Sequence, residues 1–254
     1  MIIRKIAVWS YNTLHSLAGF IPYLLDYFRF QSNRKTQADT RFNVKLSELY
    51  PCLNDNTGKT PFDAHYIYHP AWAARILAKT GPEEHVDISS SLSFVTLVSS
   101  FIMVRFYDYR PAELNLTNLS SGAVDIVALP FADGSISSLS CMHVVEHIGL
   151  GRYGDPINSK GDLLAVMELK RVLKPGGDLL FVVPVGGDAK IMYNTHRIYT
   201  YDLVMKMFHG FELMDFSLVS DTKGHVNDFI SPASKENSDE CTYGCGCFWF
   251  RKIV

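Results

Sequence analysis

Three acidic residues stand at the ends of short apolar segments that are typical of buried strands. They are Asp87, Asp108 and Asp125. Asp87 and Asp108 lie 108 − 87 = 21 positions apart, which is the length of one strand-helix-strand unit. An acid about 20 residues beyond a nucleotide-binding loop is placed to accept hydrogen bonds from ribose hydroxyls. The spacing therefore indicates nucleoside binding at one edge of a sheet.

The loop that follows Asp87 contains serine where nucleotide-binding loops usually contain glycine. The stretch HVDISSSLSF, residues 85–94, carries Ser89, Ser91 and Ser93. Glycine permits positive φ and a close approach of the backbone to a ligand, whereas serine in the left-handed region costs on the order of 1 kcal/mol. A serine hydroxyl could also bond a ligand or cap the following helix. Two interpretations stay open: a modified site that still binds its ligand, and a loop that has closed.

Three side chains have the chemistry of a general base: Glu146 and His147 in HVVEHIG, and His196 in YNTHRIY. Such a base removes a proton from a hydroxyl within hydrogen-bond reach. The alternatives are structural, because Glu146 and His147 could bond the local backbone and His196 could lie in a solvated loop. Arg197 has the planar fork that suits a carboxylate or phosphate. Asp155, in GRYGDP, is typical of a turn.

A cysteine cluster, CTYGCGC, contains Cys241, Cys245 and Cys247. A structural zinc site usually takes four ligands with paired cysteine spacing, and no second pair or suitable histidine lies nearby in the sequence. Cys245 and Cys247 fall on one face of a predicted strand, where cysteine behaves as a small apolar residue. The sequence therefore predicts no metal site.

Short apolar segments and helical patterns alternate along most of the chain. The predicted strands are 85–88, 103–107, 123–127, 136–142, 178–184, 211–219 and 247–253. The predicted helices are 69–82, 92–101, 160–173 and 200–208. Strands separated by helices predict an α/β fold with a mostly parallel sheet and helices on both faces. Ligands of such sheets bind beyond the carboxyl ends of the strands, where the three acids stand.

The first 64 residues differ from the rest, so we predict an N-terminal helix and irregular connector, 1–64, before a main domain, 65–254. Residues 6–28 are apolar on average, and the pattern predicts a helix that is broken near Pro22 and packs on the main domain. Residues 31–64 are predicted to be irregular. The alternative for residues 1–30 is peripheral contact with a membrane, because cations flank an aromatic-rich segment.

Composition narrows the class of protein. The chain has 254 residues, of which 47% are hydrophobic and 20% charged, as in globular proteins. Its net charge of −2 lacks the electrostatic footprint of a nucleic-acid-binding protein. The five cysteines show no disulfide framework, which favours a reducing, cytoplasmic compartment. Nothing in the composition indicates an oligomeric state.

Several motifs together resemble the class I S-adenosylmethionine-dependent methyltransferases. DIVALPFADGS is similar to their segment after the third strand, HVVEHIG to the end of the fourth, and LKRVLKPGGDLLFVVP to the fourth helix, turn and fifth strand. The resemblance covers roughly residues 69–219, with GCFWFRKIV as the last, antiparallel strand. It implies a Rossmann-like sheet of seven strands and S-adenosylmethionine as the cofactor.

The resemblance also implies roles by position. Asp87 would help to place the methionine amino group, Asp108 would bind the ribose hydroxyls and Asp125 the adenine amine. His143 would line the cofactor or substrate side of the fourth strand. The family pattern, acid-x-Gly-x-Gly-x-Gly, departs here at the serine positions, of which Ser89 and Ser91 are expected to touch the cofactor.

More narrowly, HVDISSSLSFV, YDYRP, HIGLGRYGDP and YNTHRIY resemble an uncharacterised methyltransferase-like family associated with cell-surface polysaccharide synthesis. The resemblance implies methylation, at oxygen, of a small molecule or glycan precursor. The alternative is a catalytically silent methyltransferase fold that serves as a binding or scaffold protein, peripheral to a membrane. A nicotinamide oxidoreductase is disfavoured, because the glycine-rich pyrophosphate turn is missing.

Overall fold

The computed structural model describes residues 2–53 and 55–253, and the chain divides into two compact units, 1–61 and 62–254. The first unit contains helix α1 (Ile2–Thr36) and a short 3-10 turn (Leu46–Glu48). The predicted break near Pro22 is wrong, because Pro22 lies inside α1. A proline removes one helical hydrogen bond, and a long helix can absorb that loss by bending.

The helix α1 also continues beyond residue 31, where an irregular connector was predicted. The Thr36 hydroxyl donates to the Ser32 carbonyl at 3.1 Å, and Arg34 donates to the Gln31 side chain. Its last turn contains two cations, Arg34 and Lys35. Their positive charges stabilise the helix by interacting with the negative end of its dipole. Local side-chain bonds and this terminal charge extend the helix into a polar segment.

A span of the bilayer takes about 20 consecutive apolar residues. None of the helices in the described part of the chain is both long and apolar enough to meet that requirement. Contact of residues 1–30 with a membrane surface stays a prediction.

The second unit contains a large sheet, a two-stranded sheet and the remaining helices. Its strands are β1 (Glu84–Ile88), β2 (Met103–Asp108), β3 (Leu119–Ala123), β4 (Ile136–Met142), β5 (Leu173–Val185), β6 (Lys190–Met192), β7 (His196–Ile198), β8 (Phe211–Val219), β9 (Phe229–Ile230) and β10 (Gly244–Lys252). Its helices are α2 (Ala64–Thr80), α3 (Leu92–Val98), α4 (Gly161–Val172), α5 (Tyr201–Met207) and α6 (Lys235–Asp239).

The predicted mostly parallel sheet is confirmed. The strand order is β3-β2-β1-β4-β5-β10-β8-β9, in which β10 runs antiparallel to both of its neighbours. The sheet has eight strands rather than the predicted seven, because β9 pairs with the end of β8 through Phe229 and Ile230. The carboxyl ends of β1, β2, β3 and β4 therefore meet along one edge.

The third strand lies earlier than predicted, at Leu119–Ala123 rather than 123–127. Asp125 ends the extended backbone, because its Oδ1 accepts the Val127 N–H at 3.1 Å and its carbonyl accepts the Ala128 N–H at 3.0 Å. Aspartate favours such turns by bonding its own backbone two residues on. Asp125 thus lies just beyond the strand, on the edge of the sheet.

Different helices cover the two faces of the sheet. Along β5, Leu179, Phe181 and Val183 belong to one apolar cluster, whereas Leu180 and Val182 belong to another. This period of two is that of a strand buried on both faces. Helices α4 and α5 contribute to the first cluster, and α2 and α3 to the second. Helices therefore cover both faces of the sheet, and its carboxyl edge is the part left open to a ligand.

Candidate functional site

A cavity of about 320 Å³ lies at the carboxyl edge of the sheet. The predicted site residues that line it are Ser89, Asp108, Asp125, His143 and His147. They lie at or just beyond the ends of four different strands, β1 to β4, so they are brought together by the topology rather than by sequence proximity. Its volume is within the range of small-molecule sites, roughly 300–1,000 Å³.

The serine loop after β1 forms part of the cavity wall through Ser89. Ser89 has a left-handed backbone with φ of 59°, as predicted for a glycine position, and its N–H donates to the Tyr107 carbonyl at 2.7 Å. Ser91 is instead the N-cap of α3 and accepts the Phe94 N–H, which confirms the predicted cap. Ser93 is exposed within α3. The three serines therefore have three different surroundings.

Asp87 is fully buried and contributes no atom to the cavity wall. Its Oδ1 accepts the Ser90 N–H at 3.0 Å, and its Oδ2 accepts the Ser140 hydroxyl. Ser90 in turn accepts the Met142 N–H at 3.1 Å. The carboxylate thus ties the serine loop to β4. Direct contact with a methionine amino group, as the resemblance implied, would require Asp87 to exchange these bonds.

A buried histidine extends this network. His85 lies between the hydroxyls of Ser138 and Ser140, each 2.8 Å from a ring nitrogen. Because the Ser140 hydroxyl donates to Asp87, His85 Nε2–H donates to Ser140 and Nδ1 accepts from Ser138. Burial lowers the pKa of His85 to about 3 and raises that of Asp87 to about 6. Both groups are therefore neutral between about pH 3 and pH 6.

The acid at the end of β2, Asp108, and the acid just beyond β3, Asp125, lie in the cavity wall. Asp108 Oδ1 accepts the Arg110 N–H at 2.7 Å. Its Oδ2 has no hydrogen-bond partner among residues 2–53 and 55–253, so an acceptor remains at the end of β2. Asp125 likewise holds its turn through Oδ1. These two carboxylates are the negative groups that a nucleoside amine or ribose would meet.

Beyond β4, His143 and Glu146 form a buried pair. His143 has a left-handed backbone with φ of 58°, and its Nδ1–H donates to Glu146 Oε1 at 2.8 Å. Burial opposes a charge on His143, but the neighbouring Cys245 and Glu146 raise its pKa to about 10. Glu146 is 1% exposed and lies outside the cavity wall. Glu146 therefore acts on the cavity only through a neighbour.

His147 lies in the cavity wall, and one of its two ring nitrogens is hydrogen-bonded to the protein. Its Nδ1–H donates to the Thr195 carbonyl at 2.6 Å, which leaves the lone pair of the neutral ring on Nε2. Glu146 Oε1 is 3.7 Å from that Nε2. The pair has the arrangement of a base whose positive form would be stabilised by a carboxylate.

His196, on β7, lies near His147 but does not line the cavity. The two rings are 6.4 Å apart, and His196 stacks on Tyr243 at 5.0 Å. Arg197 does not reach the cavity either: it is buried, pairs with Asp162 at 3.6 Å and donates to the Ile148 carbonyl at 2.7 Å. Arg197 therefore anchors the loop after β4, and its guanidinium is bonded to backbone carbonyls of that loop.

The loop from residue 148 to residue 160 closes one side of the cavity. Asp155 Oδ2 accepts the N–H groups of Gly149, at 2.7 Å, and Gly151, at 3.4 Å, which confirms it as a turn residue. Two guanidinium groups lie near the Tyr153 ring, that of Arg110 at 5.1 Å and that of Arg152 at 5.0 Å from its centre. Arg110 and Tyr153 were not among the predicted site residues, although the motifs YDYRP and GRYGDP contain them.

Replacing Gly149 by alanine is expected to destabilise the protein by about 2–3 kcal/mol. Its φ is 81°, and a Cβ atom there would lie 2.0 Å from the Asn158 carbonyl oxygen, so the loop would have to open. Gly154→Ala is the matched control, because it has a φ of 85° in the same loop and no atom within 4 Å of its Cβ. Urea unfolding should show a loss of only about 1 kcal/mol for the control. Equal losses would contradict the clash.

Comparisons with solved structures support the fold. A 1,6-didemethyltoxoflavin-N1-methyltransferase from Burkholderia thailandensis, with 1,6-didemethyltoxoflavin and S-adenosylhomocysteine bound, has 12% identity and a TM-score of 0.54 over 74% of this chain and 79% of its own. A protein assigned as a sarcosine dimethylglycine methyltransferase, from Galdieria sulphuraria, has 16% identity and a TM-score of 0.52 over 72% and 85%. A methyltransferase-like protein from Bacillus halodurans has 17% identity and a TM-score of 0.50 over 73% of this chain and 99% of its own.

At these identities the likeness shows the fold, a Rossmann-like methyltransferase sheet. Residues 132–242 also match a family described as "Caenorhabditis protein of unknown function, DUF268". The curated proteins contain no match.

Proposed function

We propose that the protein is an S-adenosylmethionine-dependent methyltransferase that methylates a hydroxyl of a small molecule or glycan precursor. The observation that carries the proposal is the common cavity of Ser89, Asp108 and Asp125 at the ends of three successive strands. In α/β sheets this edge is where ligands bind. The methyltransferase fold of the similar structures supports the same cofactor.

The side chains present fit the cofactor. Asp108 Oδ2 is an acceptor that still lacks a partner among the described residues, and it would take the ribose hydroxyls. Asp125 would accept from the adenine amine, and Ser89, with Ser91 holding the start of α3 behind it, would border the methionine part. His143 would close the side nearest the sheet. When bound, the cofactor supplies an electrophilic methyl group on a sulfonium.

His147 would act as the base. The lone pair on Nε2 would accept the proton of a substrate hydroxyl, and the carboxylate of Glu146, 3.7 Å away, would stabilise the resulting charge. His196, whose Nε2 is buried and has no hydrogen-bond partner within the described residues, would support His147. Positioning of the substrate supplies most of the acceleration in such a displacement.

Two arginines suit an anionic substrate. Arg110 lines the cavity, and the guanidinium of Arg152 lies 5.0 Å from the ring of Tyr153, which also lines it. A guanidinium binds phosphate or carboxylate through its planar fork. A phosphorylated sugar or glycan precursor, as expected of a cytoplasmic enzyme that serves polysaccharide synthesis, would present such a group.

The alternative function is a silent methyltransferase fold that binds a partner or a membrane surface through residues 1–30. The observation in its favour is Ser89, because its left-handed backbone costs on the order of 1 kcal/mol and its Cβ occupies space beside the cavity. Adenosylmethionine binding separates the two functions.

Calorimetric titration with S-adenosylmethionine, and separately with S-adenosylhomocysteine, tests the proposal. We expect a dissociation constant near the micromolar range, about −8 kcal/mol. A folded protein that shows neither heat nor thermal stabilisation at millimolar ligand would refute the enzyme and favour the scaffold.

A further inference from the structure

A second cluster of chemically active side chains lies beside the cavity. It contains His65 from α2, His143 after β4 and Cys245 from β10, whose ligand atoms all lie within 4.8 Å of one another. His143 Nε2 is 3.3 Å from Cys245 Sγ. In a tetrahedral zinc site with ordinary bond lengths, a nitrogen and a sulfur ligand are about 3.6 Å apart. The spacing of these three atoms is therefore close to that of a metal site.

The surroundings of His143 are those of a metal ligand. Its Nδ1–H donates to the Glu146 carboxylate at 2.8 Å, so the ring is held with Nε2 towards Cys245. Metal-binding histidines commonly donate their other N–H to a carboxylate, which fixes the ring and makes it a stronger donor. Glu146 is 1% exposed, and its Oε2 has no hydrogen-bond partner within the described residues. A cation bound nearby would stabilise this buried carboxyl group.

A fourth residue, His69, is an independent indication that this region binds a ligand. It is fully buried, its Nδ1–H donates to the His65 carbonyl at 2.7 Å, and its Nε2 has no partner within the described part of the chain. Its ring centre is 5.1 Å from that of His143. An unsatisfied buried nitrogen costs on the order of 1–3 kcal/mol. His65 and His69 are also four residues apart on one face of α2.

Cys245, His143 and Glu146 could alternatively form a nucleophile, base and orienting acid. Cys245 is fully buried, however, and contributes nothing to the cavity wall, so a substrate carbonyl has no access to its sulfur. A metal ion needs less space than a substrate carbonyl. It could reach the cluster at His65, which is only partly buried. The geometry favours metal binding over nucleophilic attack.

We propose that His65, His143 and Cys245 bind a zinc ion and leave one coordination position for a further ligand. Thiolate and imidazole are the ligands that zinc prefers. Binding displaces the proton between His143 Nε2 and Cys245 Sγ to solvent, so the bound cysteine is a thiolate. The cysteine motif alone did not predict this site, because both histidines are distant in sequence and arrive through the fold.

The full-length protein, stripped of metal with a chelator, should bind one equivalent of zinc in competition with a chromogenic chelator. Cobalt(II) in place of zinc should give the thiolate charge-transfer band and the intense visible bands of a four-coordinate site. Cys245→Ser should abolish the thiolate band and weaken zinc binding by at least about 100-fold. Cys247→Ala is the matched control, because Cys247 is equally buried, its Sγ is 3.9 Å from that of Cys245, and it should retain both properties.

His65→Ala provides a second variant, since a partly buried residue is safer for folding than Cys245. It should weaken zinc binding but retain the thiolate band, and circular dichroism should confirm that it is folded. A folded parent protein that binds no zinc would overturn the site, as would a thiolate band that Cys247→Ala removes. The assay measures metal alone, so it is independent of methyl transfer.

Discussion

Replacing Asp108 by alanine is expected to weaken S-adenosylmethionine binding by about 100-fold while the protein remains folded. Hydrogen bonds to a charged group contribute about 1.5–3 kcal/mol, and each 1.4 kcal/mol corresponds to a tenfold change in affinity. Asp108 Oδ2 would accept from the ribose hydroxyls, and alanine offers no acceptor. The side chain makes one protein hydrogen bond that the structure describes, to the Arg110 N–H, so little stability depends on it.

Calorimetry on the parent and three variants checks this expectation. Glu83→Ala is the control, because Glu83 is an exposed acid that precedes β1 and lies at the opposite edge of the sheet. It should leave the affinity unchanged. If Asp108→Ala bound the cofactor as tightly as the parent protein, the ribose contact would be wrong. Asp125→Ala should weaken binding less, because one amine contact is lost instead of two hydroxyl contacts.

The positions of the cavity acids could be predicted from sequence because they depend on local pattern. Asp108 follows an apolar strand, and Asp125 begins a turn that its own side chain stabilises. Parallel strands place their carboxyl ends at one edge, so two such residues share a cavity whatever the details of packing. Ser91 is similar, because an N-cap bond involves only the next three residues.

The surroundings of Asp87 could not be predicted in the same way. Its sequence position is that of a cofactor-binding acid, but its Oδ2 is taken by Ser140, which is 53 positions away. His65, His143 and Cys245 show the same limit, since they come from three elements that only the tertiary fold brings together. Contacts of this kind depend on strand order and helix placement, which periodicity does not determine.

The buried pair of His85 and Asp87 makes opposite contributions to the pH dependence of stability. The pKa of Asp87 is raised from 3.8 to about 6, so its stabilising contribution is complete below pH 3.8 and is lost as the pH rises through 6. The pKa of His85 is lowered from 6.5 to about 3, so its contribution is complete above pH 6.5 and is lost on acidification. The two effects oppose each other between about pH 4 and 6.

Asp87→Asn is therefore expected to gain stability relative to the parent protein, by on the order of 3 kcal/mol, between pH 4 and pH 7.5. The amide cannot ionise, so the variant avoids the cost of a buried charge at neutral pH and keeps only the loss that His85 causes on acidification. Urea unfolding of both proteins at several pH values measures the difference. Asp188→Asn, at an exposed acid after β5, should show no such trend. The difference in the free energy of unfolding between Asp87→Asn and the parent could instead stay constant from pH 4 to pH 7.5. The Asp87 carboxyl would then titrate alike in the folded and unfolded states. In that case the buried network would not hold it as a neutral acid.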